Sequence, residues 1–414
     1  MRRAAAVAAS VLDQAASSLT NIAVLVIAAR TSSADGFAAF SMVYIVFTVL
    51  LGLSAAYVGQ SVVLEKGEEH EVGAAARSAV TFTAAASAAA GVLLLAAGAV
   101  IGGAAGLAVL ALGAVLPVVL VQDGLRYAFS ALRQPHRALA ADLLRLAGAV
   151  PALLLQPHGS SPARLVLVWG LSALPAALLG LALLYPFVRN RPGTPRRYLR
   201  KGHLGRRFAV EFAVGNASSQ LAVLALGLLA SPLVVGALRG ATTLFGPLNT
   251  LLTSVNAFGP PLLGRAGSRR ATVRAAALLA AVLALVALGW AAVLYALPDH
   301  VGRQLLGATW QSAAELLPAT GSQYAVMAAG TCALVTLRVL RPRATLSVQV
   351  VFSLLSVALM LGGGYLLGGA VGVAWGLAAG SALKAVAAWT RVARTRPQPT
   401  TPRQDGQRST APSS

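Results

Sequence analysis

Ser78–Gln122 reads SAVTFTAAASAAAGVLLLAAGAVIGGAAGLAVLALGAVLPVVLVQ, 45 residues between Arg77 and Asp123 without a charge. A helix crosses the hydrocarbon core of a bilayer with about 20 apolar residues, so this stretch suits two spans. Gly102-Gly103 divides them. The pattern extends in both directions. Of 414 residues, 57% are hydrophobic and only 11% are charged, and the mean hydropathy is +0.74. A soluble domain carries roughly 25% charged residues to solvate its surface. The composition therefore excludes a soluble enzyme, a coiled coil and a disordered chain.

Twelve helices are expected, over about 5–29, 37–58, 76–101, 105–128, 138–156, 164–187, 208–230, 233–258, 273–297, 314–338, 345–367 and 370–389. Gly368-Gly369 separates the last two as Gly102-Gly103 separates the third and fourth. Pro117, Pro151 and Pro175 fall inside spans, where neighbouring helices can satisfy the freed carbonyls. The first span is too long for a signal-peptide core and lacks a small-residue cleavage site.

The net charge is +21. A nucleic-acid partner would need the basic residues gathered on one soluble surface. Here they sit in short runs between apolar stretches. With the amino terminus inside, 27 of the 33 basic residues are cytoplasmic and only Arg30, Arg164 and Arg303 are outside. Arg145, Arg239 and Lys384 lie within spans. That split sets both termini in the cytoplasm. The acidic loop of Glu65, Glu68, Glu69 and Glu71 weighs little in this rule. The single Cys332 allows no disulfide framework. Arginine and alanine are heavily favoured, which points by association to a GC-rich bacterial genome.

Residues 189–207 carry eight basic and no acidic residues and fall near the midpoint. Six helices precede them and six follow, and the halves echo each other at an offset near 200. Ala16-Ser17-Ser18 matches Ala217-Ser218-Ser219; Gly36 and Gly59 match Gly236 and Gly259. An even number of spans per half makes the repeats parallel, related by an axis along the membrane normal. The expected fold is thus an all-α integral membrane protein, with about twelve transmembrane helices in two six-helix bundles around a central cavity. Its parts are an N-terminal bundle (1–188), a basic cytoplasmic linker (189–207), a C-terminal bundle (208–390) and a disordered cytoplasmic tail (391–414).

Polar residues inside spans are costly and are functional candidates by default. In the first helix Asp13, Ser17 and Asn21 recur at i, i+4, i+8 and share one face, with Gln14 beside them. The eighth helix carries the longest stripe: Arg239, Thr242, Thr243, Gly246, Asn249, Thr250, Thr253 and Asn256. The second offers Ser41, Tyr44 and Thr48; the seventh offers Asn216, Ser218 and Gln220. Two readings compete, close helix packing through small polar residues and a water-lined cavity. The candidate cavity residues are Asp13, Gln14, Ser17, Asn21, Arg239, Thr243, Asn249 and Asn256. Asp123 with Arg126, Asp142 with Arg145, and Glu211 beside Arg206 and Arg207 read as structural ion pairs. The five histidines are scattered over loops without metal-ligand spacing. No phosphate-cradling loop is present. The chain reads as neither an enzyme nor a metal- or cofactor-binding protein.

Several short motifs resemble one membrane family. Leu12-Asp13-Gln14 through Ser18-Leu19-Thr20-Asn21 to Ala29-Arg30 resembles the opening of Wzx-type polysaccharide and O-antigen transporters of the MOP superfamily, as does Gly36-Phe37. Gln122-Asp123 through Arg126-Tyr127-Ala128, with Arg133 and Pro135, is similar to the end of their fourth helix. Gly236-Ala237, Arg239-Gly240-Ala241 and Gly246-Pro247-Leu248 resemble their eighth, and Leu306-Gly307 with Trp310 the loop before their tenth. The likeness spans residues 8–390. The chain departs from that family in being compact and lysine-poor with short external loops. The resemblance implies a flippase in a bacterial plasma membrane. It would move a polyprenyl-pyrophosphate-linked oligosaccharide across the bilayer by alternating access. Protons or sodium are the candidate coupling ions, and polysaccharide assembly enzymes the candidate partners. An ion-coupled multidrug exporter shares that fold, with Asp13 as the cation or proton site. A non-transporting scaffold of the cell envelope is the third class.

Overall fold

The computed structural model describes residues 2–65, 67–214, 218–229, 231–264, 268–340 and 342–394, which form helices and short connections without a strand. Asn216, the tail from residue 395, and the side chains of Arg2, Arg3, Ser218 and Asn256 lie outside the described residues. Twelve long helical segments run in order. The first half holds α1 (Arg2–Thr31), α2 (Ala34–Ser54, continued through Ala55–Gly59 and Gln60–Val63), α3 (Glu69–Ile101), α4 (Gly103–Ala131), α5 (Pro135–Leu154) and α6 (Pro162–Leu171 and Leu174–Val188). The second holds α7 (Leu204–Phe212 and Ser218–Leu229), α8 (Pro232–Leu244 and Gly246–Gly264), α9 (Arg269–Tyr295), α10 (Leu317–Leu340), α11 (Pro342–Leu366) and α12 (Gly369–Ala393). Among the described residues, nine helices are long and apolar enough to cross a membrane. The other three segments are α5, α7 and α8, the ones that carry charges, breaks or the polar stripe.

Local chemistry fixes the ends. Ser33, Ser161, Ser231 and Ser268 cap α2, α6, α8 and α9 by accepting backbone N–H bonds. Their hydroxyls satisfy donors that a helix start leaves without partners. The acidic loop has a local role: Glu68 and Glu71 form a reciprocal capping box at the start of α3. Both glycine pairs turn the chain in the left-handed region, with φ of 66° and 59° at Gly102 and Gly103 and 77° and 58° at Gly368 and Gly369. A side chain there would be strained. Among the described residues, three helices expected to be continuous are interrupted. α6 breaks at Ser172-Ala173 just before Pro175, and α8 breaks at Phe245 before Gly246-Pro247. α2 contains a π-turn at Ala55–Gly59.

The two halves pack alike. α3 lies on α4, α1 on α5, α4 on α6, and α2 on α4; in the second half α9 lies on α10, α7 on α11, α10 on α12, and α8 on α10. Gly91 and Gly113 let α3 and α4 approach until a Cβ on either would sit 2.6–2.8 Å from the other's carbonyl oxygen. Between the halves, α2 meets α8, α1 meets α8, and α2 meets α7. Exchanging the halves maps these pairs onto one another, which is what a two-fold axis between parallel repeats requires. Exposed apolar side chains such as Leu93, Val100, Leu278, Leu285 and Leu354 line the outer surfaces of α3, α9 and α11, as lipid contact demands.

The helix directions define two faces. One carries the described ends of α1 and α12 and the 189–207 linker; the other carries the connections after α1, α3, α5, α7, α9 and α11. On this second, loop face the halves are closed against each other. A Cβ on Gly236 of α8 would lie 3.2 Å from Ala38 of α2. The connection Asp299–Glu315 forms two short helices, Asp299–Leu306 and Trp310–Ala314. It seats Gly307 against the end of α1, and Trp310 Nε1 donates to Asp299 Oδ1 at 3.0 Å. On the linker face the basic segment is strapped down. Ser78 Oγ accepts from the Thr194 amide at 2.8 Å, and Arg77 donates to the Arg191 carbonyl at 2.6 Å. Arg197 pairs with Glu65, and the buried Tyr198 packs on Tyr57, Phe82 and His203.

Candidate functional site

The polar residues of the spans fall into two groups. The first is an ion cluster inside the first half, centred on Arg126 of α4. Its guanidinium reaches Asp13 Oδ2 on α1 at 3.0 Å, Asp142 Oδ2 on α5 at 3.1 Å and Asp123 Oδ1 on its own helix at 3.4 Å. It also donates to Ser17 Oγ at 3.1 Å and Gln14 Oε1 at 3.2 Å. Asp142 accepts from Gln122 Nε2 at 2.7 Å, and Gln122 Oε1 in turn accepts from Arg145. The Arg145 guanidinium lies 5.9 Å from the Trp169 ring centroid. Asp13, Gln14 and Arg126 edge a pocket of about 450 Å³ near the linker face, shared with Gln60, Tyr127 and Phe208.

This arrangement corrects two expectations. Asp142 and Arg145, three apart on α5, are not each other's ion-pair partners; Asp142 pairs with Arg126 across helices, and Gln122 bridges it to Arg145. A guanidinium presents five donors and can serve several oxygens at once, so helices 1, 4 and 5 converge on Arg126. Asp13, Gln14 and Ser17 belong to this cluster, not to the central cavity. Asp123–Arg126 is in contact as expected. Glu211 lies 3.0 Å from Arg207, four residues earlier on the exposed start of α7.

The second group lines a cavity of about 590 Å³ between the halves, walled by α1, α2, α7, α8, α10 and α12. Asn21, Arg239, Thr243 and Asn249 are in its lining. Sequence reasoning did not single out Gln323 and Tyr324 of α10 or Phe212 of α7, which also line it. Their signal was a few polar or aromatic positions in otherwise apolar helices. The stripe on α8 turns its hydroxyls back on its own backbone: Thr242, Thr243, Thr250 and Thr253 each donate to the carbonyl four residues earlier, at 2.7–3.3 Å. The oxygens keep lone pairs for the cavity, while donors come from Arg239 and from amides.

Arg239 is held by aromatic rings. Its guanidinium lies 5.1 Å from the centroid of Tyr44. Tyr44 packs on Phe40, Phe47 and Trp169, and its hydroxyl donates to Asn21 Oδ1 at 3.1 Å. Tyr324 stacks on Phe245 at 4.8 Å on the other wall. Among the described residues Arg239 has no carboxylate and no hydrogen-bond acceptor, and its Nε is buried without a partner. Among the described residues no carboxylate lines the cavity. The site can therefore hold an anionic or polar neutral group without displacing a native ion pair.

No protein-family model and no curated protein matches the chain. Solved structures do resemble it. An inward-facing multidrug resistance MATE family transporter of the MOP superfamily is similar with a TM-score of 0.69 at 13% identity, over 91% of this chain and 94% of that one. An outward-facing multidrug resistance MATE family transporter of that superfamily gives 0.63 at 12% identity, over 94% and 95%. A MATE structure in the straight conformation gives 0.62 at 13% identity, over 95% and 96%. At such identities the likeness is one of fold, and it extends over nearly the whole of each chain.

Proposed function

We propose that this protein is a membrane transporter whose central cavity carries an anionic, sugar-bearing lipid headgroup, that of a polyprenyl-pyrophosphate-linked oligosaccharide, by alternating access. The observation that carries this reading is Arg239, which among the described residues has no counter-charge and shares its cavity with no carboxylate. Such a cation inside a span costs several kcal/mol unless a ligand or water meets it. A guanidinium fork fits the oxygens of a phosphate, and the surrounding amides and hydroxyls fit sugar hydroxyls. The lipid tail would stay in the bilayer. The first half (1–188) and the second (208–390) would rock about the 189–207 linker, opening the loop face that α2 and α8 close here. The basic linker face would be cytoplasmic in a bacterial plasma membrane, with the 391–414 tail beside it.

A second reading is favoured by a different observation. The fold is that of multidrug transporters, and the cluster at Asp13 carries three carboxylates against two guanidinium groups, a site for a coupling proton or cation. An ion-coupled exporter of small molecules would use it.

Proteoliposomes separate the two. The full chain is reconstituted with a fluorescent polyprenyl-pyrophosphate oligosaccharide, and transfer is read by a membrane-impermeant quencher; ethidium efflux is read in parallel. Lipid transfer that falls at least tenfold in Arg239→Lys and Arg239→Ala is the expected result, because lysine cannot reproduce the fork. Undiminished transfer in both variants refutes the clamp, and ethidium efflux without lipid transfer establishes the second reading.

A further inference from the structure

Four cations lie deep within the described spans. Arg126 meets the carboxylates of the cluster in the first half, Arg145 donates there to Gln122 while its Nε has no partner, and Arg239 faces the central cavity. The fourth is Lys384 of α12. Its Nζ has one neighbour, Ser353 Oγ of α11 at 3.5 Å, and no carboxylate reaches it among the described residues. An ammonium there without a counter-ion is costly.

Its place on the helix indicates its use. Leu377 lines the central cavity, and Lys384 follows seven residues later. At 3.6 residues per turn, two turns bring it back to within about 20° of the same face. Depth follows from the helix starts, which both lie at the loop face. Arg239 is seven residues into the segment that begins at Pro232, and Lys384 is 15 residues past Gly369. At 1.5 Å per residue these are about 10 Å and 22 Å below that face. The two free cations thus sit on the second half at different depths, roughly 12 Å apart along the membrane normal.

We propose that Lys384 is a second anion-binding station on the substrate path, placed between the linker face and Arg239 and taking a phosphate-bearing headgroup before Arg239 does. This rests on the anionic-substrate reading of the cavity. With their backbone positions about 12 Å apart along the normal, the two stations act in turn. The residue types fit that order. The chain has 30 arginines and three lysines, and a lysine stands at the deeper station. A compact ammonium holds phosphate as a point charge without the geometric lock of a guanidinium, which suits capture and release; Arg239 supplies the oriented clamp.

The test uses the full chain in lipid nanodiscs with inorganic pyrophosphate as the probe. In wild type, pyrophosphate should protect Lys384 from an amine-directed acylating reagent, read by mass spectrometry, while Lys201 on the linker face stays reactive. Lys384→Met should weaken pyrophosphate binding about tenfold and flatten its salt dependence, and Lys384→Arg should bind within about threefold of wild type. Wild-type affinity in a folded Lys384→Met protein overturns the station, as does acylation of Lys384 that pyrophosphate leaves unchanged. The protection measurement decides by itself if the Met variant does not fold. Absence of pyrophosphate binding in wild type counts against the anionic-substrate reading itself, whereas wild-type binding with an indifferent Lys384 removes only the second station.

Discussion

Replacing Arg126 by glutamine removes the one group that Asp13, Asp123 and Asp142 share. With all carboxylates ionised the cluster sums to −1, from three carboxylates and the two guanidinium groups of Arg126 and Arg145. Arg126→Gln takes it to −2 and leaves Asp13 and Asp142 without their cation in a buried setting. Breaking a buried pair from one side costs about 3–5 kcal/mol, because the remaining charge stays desolvated. Asp13→Asn works in the opposite direction. It brings the sum to zero, leaves Arg126 two carboxylates, and keeps an amide oxygen to accept the bond, so its cost should stay below about 1.5 kcal/mol. The double variant should be less destabilised than the sum of the singles by about 1–3 kcal/mol, as expected for residues in one network. The buried Cys332 reports unfolding: its thiol reacts with a maleimide dye only when the bundle opens. Heating in detergent with that dye should rank wild type and Asp13→Asn close together, the double variant next, and Arg126→Gln last. Equal losses in Asp13→Asn and Arg126→Gln, or a double variant worse than the sum, would refute the view that Arg126 is the hub. The excess negative charge also makes a transport prediction. If the cluster holds the coupling proton or cation, Asp13→Asn transports without the pH or sodium dependence of wild type; an unchanged dependence leaves Asp13 a packing role.

Topology and the linker supply the remaining predictions. Reporter fusions after Ser414 and near Gly193 should be active only in a cytoplasmic assay, and periplasmic activity at either site overturns the orientation. His203 begins α7 by accepting the Gly205 amide through Nδ1 at 3.1 Å, and burial, aided by the adjacent Arg197, holds its pKa below the usual imidazole value. A histidine with a lowered folded-state pKa binds fewer protons folded than unfolded. Its contribution is therefore present above about pH 6.5 and is lost as pH falls below that value. Amide protection factors across residues 195–207, referenced to the intrinsic exchange rate at each pH, should fall as pH drops below about 6.5, and His203→Gln should remove that step.

The fold was legible because its signal is one-dimensional. Uncharged stretches of span length and glycine pairs at the turns each act within a short window of sequence, so Ser78–Gln122 announces a hairpin without any partner. Helix interruptions were less legible. Phe245 and Ser172 have no unusual composition, and only the Gly-Pro and Pro residues just after them mark the place. The site was half legible for a related reason. A period of 3.6 says which side chains share a face, and it put Asp13, Ser17 and Asn21 on one. It cannot say where along that face one environment ends and the next begins. On α1 the boundary falls between Ser17, which binds Arg126, and Asn21, which binds Tyr44 at the cavity. Partner choice was illegible for Asp142, because Arg145 is near in sequence while Arg126 is near in space. A guanidinium with five donors favours the position where most acceptors converge, and that point is set by how α1, α4 and α5 cross. The same reasoning separates Arg126 from Arg239. Both are single arginines in polar stretches of a span, yet one is enclosed by three carboxylates and the other by aromatic rings that leave its hydrogen-bonding edge free. What sets the two apart is the company brought by other helices, and for Arg239 that company, among the described residues, contains no acid.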